Sequence, residues 1–313
     1  MEEEKKKATI LITNDDGING DGIRALVKTL AETNEYNIYV CAPDSEKSCI
    51  GHCITWLNPI NVKPLHIDGT ISSFSVSGSP ADCTSLGISQ TLFPTLPDLV
   101  ISGINNGDNT GYDIFYSGTV AGAREAFFNH IPSISISYYR PDWAEGMCKL
   151  HDFILAAQVC IPIISAVLIE IKNQTYPPRC FLNINVPNIV ANHKGYKLTK
   201  QGKSICKMGW KQVTTETEGR KMSSNRTNIE SEPPKTNGTI SSVSPEHLLF
   251  VREVVGSTLD DDDDDDDTEY RSLQEGYITV TPLAALSDAE FNCQTFFKEW
   301  LRSVSELSSS SAL

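Results

Sequence analysis

Residues 9–17, TILITNDDG, join an apolar, β-prone run to two adjacent carboxylates, Asp15 and Asp16, and a glycine. The run predicts a buried strand that ends at the acidic pair. Two like charges this close repel each other, so either one carboxylate stays protonated or a cation lies beside them. The alternative is a turn into a helix, with one Asp capping the helix and the other exposed.

Strands alternate with helices in the first half of the chain, which predicts a doubly wound α/β fold with a mostly parallel sheet. Several strands are continuous Val, Ile and Leu runs, as in PDLVIS at 97–102, and such strands are covered on both faces. The predicted elements are strands at 8–13, 36–42, 97–102 and 132–137, an extended region at 54–77, and helices at 22–33, from 80–82 onward and at 119–129.

The second half of the chain is less regular. Residues 153–171 are nearly apolar and long enough to span a membrane, but Gln158, Pro162 and Glu170 interrupt them, so we predict a core helix kinked near Pro162 and no membrane anchor. Further expectations are strands at 179–187, 248–255 and 276–283, a hairpin projecting from the sheet at 196–213, a mobile insertion at 215–245 and a solvated acidic loop at 260–267. We expect one domain over 8–305, between disordered ends at 1–7 and 306–313.

Composition limits the classes of partner. The net charge is −14, but the eight Asp residues at 260–267 leave only about −6 for the rest, and Lys and Arg form no basic stripe, which excludes polymeric nucleic acid. Nine cysteines without a C-x-x-C pair indicate reduced thiols, and only Cys49, His52 and Cys53 resemble a transition-metal cluster. The amino terminus MEEEKKK lacks the apolar core of a secretory signal, so we expect a cytoplasmic protein.

Oxygen-bearing side chains follow successive predicted strands. Asp15 and Asp16 follow the first strand, Ser45 and Ser48 the second, and the segment SGINNGDNTG, with Asn105, Asn106 and Asn109, follows PDLVIS. The carboxyl ends of parallel strands meet at one edge of the sheet, where α/β proteins bind ligands. Because every donor is an oxygen, a hard divalent cation such as magnesium, manganese or calcium is favoured.

The segment YSGTVAGAREA, residues 116–126, predicts an anion site. Ser117, Gly118 and Thr119 come immediately before or at a helix start, where unpaired N–H groups and the positive end of the helix dipole hold phosphate. The alternative for Ser117 is a plain N-cap. GSPADC at 78–83 is a second helix start of the same kind, with Asp82 available for capping or for supporting the site residues from behind.

Together these segments resemble the SurE family, the survival-protein nucleotidases and phosphatases. The matching motifs follow the family's order over most of the first 140 residues, with further matches near FLNINVP and the carboxyl end; they are ILITNDDGINGDGI, APDSEKS with GHCIT, VSGSPADC, PDLVISGINNGDNTGYDIFYSGTVAGAREA and GYITVTPL. The length and the polar insertion resemble the plant members. Two positions depart from the family pattern: Cys49 stands where many members have Gly, and Thr268 with Glu269 stands where many have Thr and Asp.

The resemblance implies a three-layer, Rossmann-like domain with a protruding β-hairpin and a carboxyl-terminal extension, assembled as a homodimer or homotetramer. It implies hydrolysis of nucleoside monophosphates with one divalent metal ion per subunit, Mg²⁺ or Mn²⁺. The implied metal ligands are Asp15, Asp16, Ser48 and Asn105, and the implied phosphate-binding residues are Asn109, Ser117, Gly118 and Thr119. Asp15, Asp16, Asn109 and Ser117 are then the predicted catalytic residues.

Other functions are considered beside this one. The same site would serve a broad-specificity acid phosphatase or exopolyphosphatase, or a nucleotide-binding regulatory protein that has lost turnover. Preference for 5′- or 3′-nucleotides stays open. A dinucleotide dehydrogenase is disfavoured because the turn after the first strand reads G-I-N-G-D-G and not G-x-G-x-x-G, and a P-loop NTPase is disfavoured because G-K-[ST] is absent.

Overall fold

The computed structural model describes residues 7–140, 150–213, 248–258 and 267–285, and residues 295, 297, 298, 300 and 301. The chain forms two compact units, residues 1–283 and residues 284–313. In the second unit the rings of Phe297 and Trp300 meet edge to face, with 6.0 Å between their centroids. Apart from Lys7 and Asp267, the expected disordered ends, the insertion at 215–245 and the acidic loop lie outside the described residues, as does the predicted domain end at 305.

Strand β1 (Ala8–Thr13) is the predicted first strand and lies inside the sheet. It pairs in parallel with β2 (Tyr36–Pro43) on one side and with β5 (Leu99–Asn106) on the other. Side chains of β1 alternate between the two faces, so that Ile10 and Ile12 belong to one core cluster and Leu11 to another. The continuous apolar run is therefore explained by burial on both faces.

Most strands of the described residues join one sheet. Besides β1, β2 and β5, the strands are β3 (Val62–Pro64), β4 (Ser72–Val76), β6 (Ser133–Tyr138), β7 (Phe181–Val186), β8 (Tyr196–Leu198), β9 (Ile205–Val213), β10 (Leu249–Thr258) and β11 (Ile278–Leu283). The large sheet has the order β3-β4-β2-β1-β5-β6-β7-β11-β8. Neighbours from β4 to β7 are parallel, whereas β3 and β11 run antiparallel to β4 and β7. The predicted α/β fold with a mostly parallel sheet is confirmed.

Helices lie on both faces of this sheet. They are α1 (Asp21–Glu32), α2 (Pro80–Ile88), α3 (Gly118–Phe128), α4 (Leu150–Lys172) and the short α5 (Glu269–Gln274). Buried side chains of α1 and α4 share a cluster with Ile10 and Ile12, and those of α2 and α3 share one with Leu11. Thr84 Oγ1 donates to Gly122 O at 3.0 Å and joins α2 to α3. The result is the expected three-layer arrangement.

Strand β5 is longer than the sequence indicated. The prediction ended it at Ser102, but it continues to Asn106. Its pairing with β6 shifts register between Ser102 and Asn105, after which Asn105 and Asn106 pair with Ser137 and Tyr138. Asn105 therefore lies in the last part of a strand, where its backbone is fixed by the sheet.

The hairpin predicted within 196–213 is wrong in its pairing. Its first part, β8, pairs in parallel with β11 at the edge of the large sheet. Its second part, β9, pairs antiparallel with β10, which lies beyond residues 214–247, and the two form a separate two-stranded sheet. Alternating polarity correctly indicated strands at both places, but it carries no information about which strand is the partner.

Helix α4 is the apolar segment predicted to be a core helix. By length and composition it is the one helix of the described residues that is able to cross a membrane, with a mean hydropathy of 2.3 over its most apolar window and 33% of that window buried. One face, including Phe153, Ala157 and Ile164, packs in the same cluster as α1. The predicted core packing is confirmed for this face, and the helix continues through Pro162.

Gly22 makes the close approach of α1 to β5 possible, and this leads to a stability prediction. A Cβ at position 22 would lie 1.9 Å from the carbonyl oxygen of Ile104, a backbone atom that cannot rotate away. We expect Gly22→Ala to lower the free energy of unfolding by about 2 kcal/mol or more, measured by urea denaturation. Lys28→Ala, at an exposed position of the same helix, is the control and should change it by less than about 0.5 kcal/mol. Equal values for the two variants would contradict the close approach.

Candidate active site

Asp15 is 2% exposed and lies just after the end of β1. The hydroxyl of Thr119, in the first turn of α3, donates a hydrogen bond to Asp15 Oδ1, and the Thr119 backbone N–H donates to the same carboxylate. Gly118 lies so close that a Cβ at its position would be 2.8 Å from Asp15 Cβ. The positive end of the α3 dipole therefore faces this carboxylate.

Asp16 is half-buried and is held at the end of β5. The backbone N–H of Asn106 donates to its carboxylate. On its other side, a Cβ at Gly20 would lie 3.1 Å from Asp16 Cβ, so the residue before α1 packs on the side chain. The acidic pair is therefore fixed by β1, β5 and the starts of two helices.

The protein environment disfavours two negative charges here. Burial raises the pKa of Asp15 to about 6, although the Thr119 hydrogen bonds oppose this, and the charge of Glu46 raises it further. Burial likewise raises the pKa of Asp16 well above its usual range, and the charges of Asp15 and Glu46 add to the effect. Positive charge beside the pair would favour the ionised forms of both.

The loop after β2 passes along Asp15 and carries Ser48. The N–H of Lys47 donates to Asp15 O at 2.7 Å, and the N–H of Ser48 donates to Glu46 Oε1 at 2.6 Å. Further along, Gly51 N–H donates to Tyr116 O at 2.8 Å. Ser48 itself is exposed. The loop is thus held between Asp15 and the segment that leads into α3.

Asp82 holds the far end of the same loop. Its carboxylate accepts the N–H and the hydroxyl of Thr55, at 2.9 and 2.6 Å, and it forms a capping box with Ser79 at the start of α2. Burial raises the pKa of Asp82, but the hydrogen bonds from Thr55 and Ser79 outweigh it and lower the pKa below its usual value. The predicted capping role is confirmed.

Amide oxygens near the acidic pair have unused acceptor capacity. Asn105 Nδ2 donates to Gly107 O at 2.8 Å, which fixes the amide and leaves Oδ1 as the group able to bind a cation. Within the described residues, the buried Oδ1 atoms of Asn14 and Asn106 have no hydrogen-bond partner. A buried acceptor without a donor is unfavourable, so these oxygens suit a site that gains a cation or its bound water.

The donor set at this edge fits a hard divalent cation. Asp15 and Asp16 provide carboxylates, Ser48 a hydroxyl and Asn105 an amide oxygen, all of which are oxygen donors of the kind that Mg²⁺ and Mn²⁺ bind. In the described part of the chain no three His, Cys, Asp or Glu side chains form a metal-binding cluster, so a cation here would need the neutral oxygens as well.

The alternative metal cluster at Cys49, His52 and Cys53 finds no support in this geometry. His52 Nε2 instead lies 2.9 Å from Glu125 Oε2 in α3, and the imidazole packs against Phe128 with 5.3 Å between ring centroids. Cys49 and Cys53 are exposed. His52 therefore attaches the Ser48 loop to α3.

Ser117 is the N-cap of α3. Its Oγ accepts the N–H of Val120 at 3.0 Å, as the N-cap alternative predicted, and among the described residues its own hydroxyl hydrogen remains available for an anion. Gly118 brings a backbone N–H to the same helix start. Thr119 was predicted to bind phosphate, but both of its donors are directed at Asp15. It therefore links the anion site to the acidic pair.

Asn109 is buried and held by two neighbouring strands. Its Nδ2 donates to Ser137 Oγ at 2.7 Å, its N–H donates to Asn185 Oδ1 at 2.9 Å, and its carbonyl accepts from Asn183 Nδ2 at 2.8 Å. Asn183, Asn185 and Glu46 were not among the residues predicted for the site. Asparagine at alternate positions of the buried strand FLNINV was the available signal for the first two, because polar groups in a core need partners.

Cys49 has a backbone conformation that favours glycine, and this leads to a second stability prediction. Its φ is +61°, whereas Cys53, on the same loop, is outside the left-handed region. We expect Cys49→Gly to raise the free energy of unfolding by about 1 kcal/mol, because strain in the left-handed region is removed. Cys53→Gly, the matched control, should lower it by about 0.5 kcal/mol through the greater entropy of the unfolded chain. The same sign in both denaturation experiments would contradict this interpretation.

Comparisons with known proteins identify relatives of this chain. The family model described as "Survival protein SurE" matches residues 10–208. The 5′-nucleotidase SurE of Syntrophobacter fumaroxidans is 39% identical over 196 residues, which are 62% of this chain and 72% of that protein. The 5′-nucleotidase SurE of Natranaerobius thermophilus is 42% identical over 197 residues, with the same two coverages.

A solved structure gives the same result over more of the chain. The crystal structure of the SurE protein from Aquifex aeolicus has a TM-score of 0.62 and 31% identity, covering 90% of this chain and 95% of that one. The family match includes every predicted site residue, from Asp15 to Thr119. The expectation of a plant-like subgroup stays a prediction, but the resemblance carried by the motifs is confirmed, and the chain belongs to the SurE family.

Proposed function

We propose that this chain is a phosphomonoester hydrolase that acts on nucleoside 5′-monophosphates and depends on a divalent cation. The observation that carries the proposal is the contact between α3 and Asp15: the N-terminus of a helix lies directly against the buried carboxylate of an acidic pair. Two relatives named 5′-nucleotidase SurE support the substrate class. A phosphate at the helix start would lie beside the carboxylates and would be repelled by them. Positive charge between the phosphate and the carboxylates is therefore required.

Asp15, Asp16, Ser48 and Asn105 are the residues that would hold one Mg²⁺ or Mn²⁺. When bound, such a cation supplies a Lewis acid for a phosphoryl oxygen and lowers the pKa of a coordinated water. Its charge would offset the two carboxylates, whose pKa values are raised by burial, by the charge of Glu46 and, for Asp16, by the charge of Asp15. The Thr119 hydrogen bonds fix the orientation of Asp15 for this role.

The phosphate is held by the start of α3 and by Asn109 in this proposal. Ser117 donates its hydroxyl hydrogen and Gly118 its N–H to phosphoryl oxygens, and these donors stabilise the charge that redistributes as the ester bond breaks. Asp15 or Asp16 orients the attacking water or accepts its proton. Donors attached to a rigid helix and to β6 and β7 need little reorganisation during the reaction.

Activity on 3′-nucleotides, a broad acid phosphatase or exopolyphosphatase activity, and a silent nucleotide-binding role are the alternatives for the same site. A cytoplasmic homodimer or homotetramer is the expected form, without nucleic acid or membrane partners. A silent binding protein is disfavoured because the acidic pair raises the energy of any bound phosphate and helps only when a cation and a water are used.

A substrate panel tests the proposal. Purified protein, treated with EDTA and then supplied separately with Mg²⁺, Mn²⁺ or Ca²⁺, is assayed for phosphate release from 5′- and 3′-nucleotides, polyphosphate and a simple aryl phosphate. We expect release from 5′-monophosphates, its loss with EDTA and its return with Mg²⁺ or Mn²⁺. Undiminished activity in EDTA would contradict the cation dependence, and nucleotide binding without turnover under every metal would favour the regulatory alternative.

Substitutions at Asp15 and Thr119 test the residue roles. Thr119→Val removes the hydroxyl donor and should lower activity or metal affinity by about 10- to 100-fold. Asp15→Asn should lower the same quantity further. Mg²⁺ or Mn²⁺ should raise the thermal unfolding temperature of the wild type, because ligands that bind the folded state stabilise it. Neither ion should raise the unfolding temperature of Asp15→Asn. Asp68→Asn, at an exposed position, is the control. Wild-type activity in Asp15→Asn at saturating metal would contradict the assignment.

A further inference from the structure

The segment that carries Asn109 and Ser117 turns at Gly111, and residues far along the chain hold this turn. The N–H of Gly111 donates to Glu269 Oε1 at 2.7 Å, and its carbonyl accepts from Gln201 Nε2 at 2.9 Å. Gly111 has φ +54°, and a Cβ there would lie 2.1 Å from the carbonyl oxygen of Ser204. The turn is thus enclosed by backbone and fixed at both of its polar groups.

Glu269 is the first residue of α5, and none of its surface is exposed. Its Oε2 accepts the N–H of Gly202 at 2.7 Å, while Oε1 accepts that of Gly111. Its own N–H donates to Lys200 O at 3.1 Å. A buried carboxylate is unfavourable unless it is hydrogen-bonded, and backbone N–H groups at 2.7 Å are strong, charge-assisted donors. Glu269 therefore ties the Gly111 turn and the loop before β9 to α5.

A short helix connects Gly111 to the anion site at Ser117. Gly111 begins a short 3-10 helix, Gly111–Phe115, and the N–H of Ser117 donates to Asp113 O at 3.1 Å at the end of that helix. The Asp113 carboxylate accepts the N–H of Cys206, in β9, at 3.1 Å. Asn109 is only two residues before the turn. A shift of Gly111 would therefore move Asn109 and Ser117 relative to the acidic pair.

We propose that Glu269 is a positioning residue for the phosphate-binding segment: by accepting the N–H groups of Gly111 and Gly202, it sets the places of Asn109 and Ser117. This inference rests on the proposed function, in which those two residues bind the phosphate. The residues expected to hold the cation are fixed by other contacts, chiefly those of Thr119, Lys47 and Asn106. Loss of Glu269 should thus affect substrate binding much more than cation binding.

Glu269→Gln is the main test because it keeps the size of the side chain but turns one accepting oxygen into an NH₂ group. That group cannot accept, so one of the two backbone N–H groups loses its partner. We expect KM for a nucleoside 5′-monophosphate to rise at least about fivefold, while the half-saturating Mn²⁺ concentration stays within about twofold of the wild-type value. Glu275→Gln, an exposed position just after the same helix, is the matched control and should change neither.

Two further variants separate positioning from folding. Glu269→Asp keeps both accepting oxygens and should recover part of the loss seen in Glu269→Gln. Gln201→Ala removes the donor to the Gly111 carbonyl and should raise KM in the same way but less, and it serves as the test if Glu269→Gln does not fold. An unchanged KM in both Glu269→Gln and Gln201→Ala overturns the proposal. The proposal is also overturned if the activity of these variants falls only in proportion to the amount of folded protein.

Backbone hydrogen exchange tests the positioning role of Glu269 without relying on the proposed function. If the wild-type protein hydrolyses no nucleotide, the proposed function fails, but the positioning can still be measured. Backbone amides of residues 109–117 should exchange faster in Glu269→Gln than in the wild type, with those around Asp15 and Asp16 unchanged. Unchanged exchange at 109–117 overturns the positioning role whatever the activity.

Discussion

The hydrogen bonds from Thr119 to Asp15 are the contact on which the candidate site depends. They join the first turn of α3 to the end of β1, so that a helix N-terminus becomes the partner of a buried carboxylate. Charge-assisted hydrogen bonds and the helix dipole favour the ionised form. Burial and the charge of Glu46 nevertheless outweigh these effects, because the pKa of Asp15 is still raised to about 6. The site therefore still lacks positive charge, which is the condition for binding a cation and then an anion.

Close backbone packing makes this arrangement possible. The acidic pair lies where helices start directly beside strand ends, and glycine occupies the points of contact. A side chain at Gly22 would meet the Ile104 carbonyl at 1.9 Å, and one at Gly118 would meet Asp15 Cβ at 2.8 Å. Any larger residue would move α1 from β5 or α3 from Asp15. The glycines of the motifs are thus required by the distances between elements, and these distances set the geometry of the site.

Local patterns allowed the fold class, β1, the helix starts near residues 80–82 and 119, and the position of the acidic pair after β1 to be predicted from the sequence. Contacts between distant segments could not be predicted in this way. The extension of β5 to Asn106 depends on a register shift in its pairing with β6. Strand β9 pairs with β10, which lies beyond residues 214–247. The pattern Ser-Gly-Thr predicted an anion site, but it does not say that Thr119 points its donors at Asp15 instead of at a ligand. That direction is set by how closely α3 packs on β1.

The two halves of the candidate site differ in how they are held. Contacts within the first 120 residues fix the acidic pair, so short-range motifs were enough to find it. The proposed phosphate-binding segment is instead fixed by Asn183 and Asn185 of β7, by Gln201, and by Glu269 of α5. These residues lie 74 to 158 positions after the residues that they contact, Asn109 and Gly111. The geometry of the proposed site therefore depends on the carboxyl-terminal half of the unit as much as on the motifs near its start, because the distance between the carboxylates and the proposed phosphate donors is set where the two halves meet.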